Sequence, residues 1–116
     1  IKPEIILGNG GSDSHFADEL GCLELTVNGF FELSKTVVSM AEKVCGGKLV
    51  LMVGSGYNPV VLPACWYALT AGVVGLEKID VGDPYAPPVE PEGCRRMVEK
   101  TLAELKGILK NMGLLK

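Results

Sequence analysis

Two short, almost unbroken apolar runs punctuate the first half of the chain, Ile5-Ile6-Leu7 and Leu49-Val-Leu-Met-Val53. Runs of that length, bounded by glycine, predict strands buried on both faces, as in the interior of a parallel sheet. Between them the period changes. Phe30, Phe31, Leu33, Val37, Val38, Met40, Ala41 and Val44 recur at helical spacing, which predicts a helix from Val27 with Thr26 as its N-cap. Gly46-Gly47 supplies the C-terminal stop. Strand, helix, strand in this order predicts a right-handed βαβ unit with parallel strands.

Gly54-Ser55-Gly56-Tyr57-Asn58-Pro59 closes the second run. Asn58 as N-cap and Pro59 at the first helical position predict a second helix ending near Gly72 or Gly75, with Pro63 as the alternative start. Trp66, Leu69 and Val73 fall on its buried stripe. Pro84, Pro87, Pro88 and Pro91 make 80–91 an extended linker. Glu92–Lys110 is amphipathic: Met97, Leu102, Leu105, Ile108, Leu109 and Met112 share one side, with Arg95, Arg96, Glu99, Lys100 and Glu104 on the solvated side. The organisation is thus a portion of an α/β domain over 1–79, the linker, and a C-terminal helix over 92–116.

Two parallel strands that both read as buried are too few to stand alone. Their neighbours are expected from an upstream segment of the same polypeptide or from another copy, so self-association through an open sheet edge is expected too. A first residue of Ile1 in place of Met fits either the expected C-terminal piece of something larger or removal of the Met by processing.

Composition narrows the function classes. A chain of 116 residues that is 47% hydrophobic and 22% charged is expected to fold as one unit. Net charge −3, with no basic run, argues against direct nucleic-acid binding. No apolar stretch approaches the roughly 20 residues of a membrane helix, and Ile-Lys-Pro-Glu at the start does not read as a signal peptide. Cys22, Cys45, Cys65 and Cys94 are scattered without a Cys-x-x-Cys pair, which fits reduced thiols in the cytoplasm.

The candidate chemistry lies where the runs end. After Ile5-Ile6-Leu7 come Gly8, Gly10 and Gly11, then Asp13, Asp18 and between them the only histidine, His15. In open α/β folds ligands bind beyond the carboxyl ends of the strands, so a carboxylate delivered there by a glycine turn is a candidate metal ligand. The plainer reading is that Asp13 and Asp18 cap turns. Spacing excludes several other sites. Asp13 stands where a dinucleotide fingerprint needs its third glycine, and no Gly-Lys-Ser/Thr is present. A nucleophile elbow around Ser55 needs glycine at Val53, which leaves a Ser55–His15–Asp13 triad without its context. What remains is a metal held in part by Asp13 facing a phenol at Tyr57. Such an ion polarises a carbonyl and activates water, while the phenol donates to the developing oxyanion. For Tyr57 the plainer reading is a half-buried ring packed on its loop.

Gly11-Ser-Asp13-Ser-His15-Phe-Ala-Asp18-Glu-Leu20-Gly21, followed by Leu23-Glu-Leu25-Thr26, resembles the downstream metal loop of histone deacetylase-like amidohydrolases, typically Ala-Gly-Phe-Asp-Ala-His-x-x-Asp-Pro-Leu-Gly. Gly46-Gly47-Lys-Leu-Val-Leu-x-x-Gly54-Ser55-Gly56-Tyr57-Asn58 is similar to that family's Gly-Gly-Arg-Leu-Val-x-x-Leu-Glu-Gly-Gly-Tyr-Asn. Order and spacing both match over roughly Ile5 to Gly75, and the proline linker and last helix resemble those of acetoin utilization proteins. The resemblance implies the C-terminal part of a three-layer arginase/deacetylase-type fold. It implies Asp13 as a zinc ligand, Tyr57 as the catalytic oxyanion donor, Leu20 as an apolar wall of the acyl-lysine channel, and Gly56 beside the tyrosine. His15 matches a family histidine that is not a zinc ligand, and the remaining ligands would come from an absent upstream segment. The substrate implied is an acetylated lysine side chain or small molecule, with the isolated chain inactive. Ser12 replaces an aromatic, Glu19 replaces proline, and Gly54-Ser55 stands where Glu-Gly or Gly-Gly is usual. The alternative is a non-catalytic α/β module, either a degenerate relative or an assembly scaffold.

Overall fold

A computed structural model describes residues 2–21 and 23–115. In chain order its elements are β1 (Ile6–Asn9), α1 (Val27–Cys45), β2 (Leu49–Met52), α2 (Leu62–Val73) and α3 (Cys94–Asn111). β1 and β2 pair in parallel from Ile6 opposite Leu49 to Asn9 opposite Met52, and α1 connects them. The described residues therefore form a mixed helix-and-strand structure with a parallel sheet, compatible with an α/β fold.

The caps of α1 follow its sequence signals. Thr26 has extended backbone, and its hydroxyl accepts the Gly29 N–H at 3.1 Å, satisfying a donor that the first turn cannot. Gly46 ends the helix at φ 63, in the left-handed region where glycine carries no Cβ penalty. The start of α2 differs from the Asn58-Pro59 expectation. Asn58 caps a separate turn, accepting the Val60 N–H at 3.0 Å through Oδ1, and α2 starts only at Leu62 with Pro63 in its first turn. Pro63 is the true start signal, because its missing N–H falls where no helical partner exists.

The core lies mainly between α1 and α2. Val27, Phe30 and Phe31 of α1 pack with Val61 and with Cys65, Ala68, Leu69 and Ala71 of α2. The helices approach closely at Gly72, where an added Cβ would collide with the Ser34 hydroxyl. Of the stripe expected on α2, Leu69 is buried, whereas Trp66 and Val73 are half-buried. The strands depart from the expectation of two buried faces. Ile6, Gly8, Leu49 and Leu51 are partly covered, with Leu51 on the core, but the alternate side chains Leu7, Val50 and Met52 are exposed. The described helices cover one side of the sheet, and among the described residues no helix packs over the apolar residues of the other side, which stay exposed.

After α2 the chain runs without helix or strand through the proline-rich stretch to α3, none of whose residues is buried. The radius of gyration is 15.9 Å, against about 13 Å for a compact chain of this length. An α3 standing off the core accounts for the excess. No helix among the described residues is long and apolar enough to cross a membrane.

Candidate functional site

Parallel pairing puts the carboxyl ends of β1 and β2 side by side, and the two loops that leave them stay joined. The Gly10 N–H donates to the Met52 carbonyl and the Ser12 N–H to the Ser55 carbonyl, each at 2.7 Å. The approach is so close that a Cβ on Gly11 would collide with the Ser55 hydroxyl, and one on Gly56 with the Ser12 hydroxyl. Gly56 also has φ 148, a backbone that side-chain-bearing residues rarely adopt.

Asp13 and Asp18 play different parts in the first loop. Asp18, 4% exposed, does cap its own turn: Oδ1 accepts from the Leu20 and Gly21 N–H groups at 3.0 and 3.1 Å. Its other oxygen reaches the second loop, accepting from Tyr57 N–H at 2.8 Å and Asn58 N–H at 3.3 Å. Asn58 completes the seam by donating its side-chain amide to the Ala17 carbonyl at 2.8 Å. Burial pushes the Asp18 carboxyl up, but the N–H groups of Tyr57, Leu20, Gly21 and Asn58 together outweigh it and hold the group below its ordinary value. Asp13 is half-buried, and among the described residues its carboxylate accepts no hydrogen bond.

His15 is engaged elsewhere in the fold. Its ring is 0% exposed; Nδ1 accepts the Ala17 N–H at 3.0 Å, and Nε2 lies 2.8 Å from Oδ1 of Asp83. The acceptor role of Nδ1 puts the ring proton on Nε2, donated to Asp83. Both nitrogens are engaged, so His15 neither ligates a metal beside Asp13 nor forms a triad with Ser55.

Tyr57 and Leu20, 58% and 68% exposed, flank the seam on the solvent side. The Tyr57 hydroxyl has no partner among the described residues, and the residue is exposed rather than half-buried. Among the described residues no group of three or more His, Cys, Asp or Glu could hold a metal. Two contacts were not visible in the sequence pattern: the Asp18–Tyr57 bond, and Asp83, which lies in the proline-rich stretch and also accepts the Val27 N–H at 2.8 Å. The order Gly82-Asp83-Pro84 reads as a turn and carries no cue to a partner 68 residues earlier.

A parallel-stranded unit with a carboxylate loop and a Gly-Tyr loop joined at its carboxyl end defines the class, and comparison with known proteins gives the family. Residues 1–73 match the histone deacetylase domain, and the chain belongs to that family. It is 33% identical over 91% of its length to a "Probable deacetylase" of Archaeoglobus fulgidus, and 30% identical over 66% to the acetoin utilization protein AcuC of Bacillus subtilis. Over 50% of its length it is 40% identical to histone deacetylase 14, chloroplastic, of Arabidopsis thaliana. The chain spans 29%, 20% and 14% of these three relatives.

Proposed function

We propose that this chain is the downstream part of a zinc-dependent deacetylase of three-layer arginase/deacetylase fold, acting in the cytoplasm on an acetylated lysine or polyamine-like side chain. The observation that carries this reading is the seam itself. Ser12 to Ser55 at 2.7 Å and Tyr57 to Asp18 at 2.8 Å make one unit of the Asp13 loop and the Tyr57 loop.

Asp13 fits as one metal ligand, since among the described residues its half-buried carboxylate is left without a hydrogen bond. A catalytic zinc takes about three protein ligands, so in this reading the others belong to an upstream segment. Bound zinc supplies Lewis-acid polarisation of the amide carbonyl and activation of water. Tyr57 donates its hydroxyl to the carbonyl oxygen as charge develops there. Leu20 offers an apolar wall to the acyl-bearing chain, and Gly56 keeps its space beside the tyrosine free of a Cβ.

The test is acetate release from acetyl-lysine peptides and acetylated polyamines by the full-length protein. Release is expected to vanish on chelation and return with zinc. Failure with every such substrate would favour the non-catalytic α/β module.

A further inference from the structure

The segment after α2 crosses back over the first loop as a strap. We propose that Asp83 on this strap is a positioning residue for the site, holding the Asp13–Asp18 loop in the shape that presents Asp13 and Tyr57. The kinetic part of this proposal rests on the deacetylase reading above.

One oxygen of Asp83 does two jobs. Oδ1 accepts from His15 Nε2 and from the Val27 N–H, both at 2.8 Å. Val27 opens α1, and its N–H is among those a helix cannot satisfy internally. A carboxylate there also meets the positive end of the helix dipole. Asp83 thus ties the loop to the start of the helix that carries the core.

His15 transmits the tie. Its ring is fully buried and rests against Phe16 and Phe30, with centroids 4.3 and 6.4 Å away. The backbone of His15 donates to the Ser12 carbonyl at 3.1 Å and accepts from the Asp18 N–H at 3.0 Å. Moving the ring therefore moves the backbone on both sides of Asp13 and the base of Asp18, which in turn holds the Tyr57 N–H. The strap is itself anchored, with Ile79 packed on the core and the Tyr67 hydroxyl donating to Asp80 at 3.2 Å. Without Asp83, a buried ring N–H loses its only acceptor among the described residues, and a buried donor without a partner drives rearrangement.

The experiment uses the full-length, zinc-loaded protein with Asp83→Ala, Asp83→Asn and, as a strap control, Asp80→Asn. Asp83→Ala is expected to lower kcat per bound metal roughly 10–100-fold, the range typical when support of a ligand loop is lost, with KM changed far less. Asp83→Asn, whose Oδ1 still accepts both N–H groups, is expected to restore most of the activity, and Asp80→Asn to match wild type. A purely structural role would lower the thermal midpoint and leave kcat per metal-loaded site unchanged; that result overturns the proposal. So does Asp83→Asn as impaired as Asp83→Ala. Should Asp83→Ala not fold, Asp83→Ser, whose acceptor is withdrawn, enters the same comparison. Hydrogen exchange gives an answer free of the reaction: the amides of Ala17, Asp18 and Tyr57 should exchange faster in the variant while the α1–α2 core does not change. If wild type turns over no acetylated substrate, the deacetylase reading fails, and exchange alone decides Asp83.

Discussion

The backbone N–H of Tyr57 donates to Oδ2 of Asp18 at 2.8 Å, so the residue proposed to meet the substrate hangs from the loop that carries Asp13. Asp18→Asn puts an amide where four N–H donors converge, and at least one donor then faces another. The expected loss is about 1–3 kcal/mol of stability at neutral pH, the cost of an unmet buried donor. The sign with pH follows from the lowered folded-state carboxyl. Its contribution is complete above the ordinary value of 3.8 and is lost as pH falls through the folded value. Thermal midpoints of wild type and variant should therefore converge on acidification below that range. A gap that persists unchanged in acid would contradict this role.

Cys65 is a second buried group with a defined response. Burial pushes its thiol up to about 12, and the Asp83 and Asp18 carboxylates add to the effect. A thiol in that state is a poor nucleophile. At mildly alkaline pH, alkylation of the folded chain should label the half-buried Cys45 and Cys94 and spare Cys65 until denaturant is added. Peptide mapping by mass spectrometry reads this directly, and early labelling of Cys65 would refute it.

Legibility in the sequence divides along physical lines. Thr26 and Gly46-Gly47 bounded α1 because caps act through neighbours a few residues away, and the two glycine loops stood out because turns need local chemistry. Asn58 misled because its cap belongs to a lone turn, while Pro63, in the first turn of α2, marked the helix. Leu7, Val50 and Met52 read as buried because an apolar run records what a strand can pack against, whether or not the described residues supply the cover. The Asp18–Tyr57 and His15–Asp83 bonds left no trace, since an aspartate in a loop looks the same whether it caps its own turn or reaches across the fold.

The uncovered sheet face has a consequence for the chain by itself. Leu7, Val50, Met52 and Val53 are all exposed on or beside a two-stranded sheet whose outer edges are unpaired among the described residues. Such a surface favours association of copies. Sedimentation of the 116-residue chain should show a mass that rises with concentration. Replacing Leu7 and Val50 with lysine should suppress the rise without disturbing the α1–α2 core. A monomer at every concentration would count against this expectation.

Tyr57 and Asp13 can be separated by what each loses. The Tyr57 hydroxyl is free of partners among the described residues, so Tyr57→Phe removes one oxygen and no internal hydrogen bond. Folding and metal content should stay close to wild type. In the full-length protein the same oxygen is expected to donate to charge that exists only during the reaction, which stabilises the transition state more than the bound substrate. Loss of one oxyanion donor costs on the order of 10²–10³ in kcat, and that is the expected drop. Asp13→Asn weakens a ligand instead, so bound zinc should fall, and excess zinc should restore part of the activity to Asp13→Asn and none to Tyr57→Phe. The decisive measurements are kcat, bound metal and thermal midpoint for both variants. Wild-type turnover by Tyr57→Phe on acetylated substrates would remove the phenol from the mechanism, leaving the exposed ring as a surface feature of the loop.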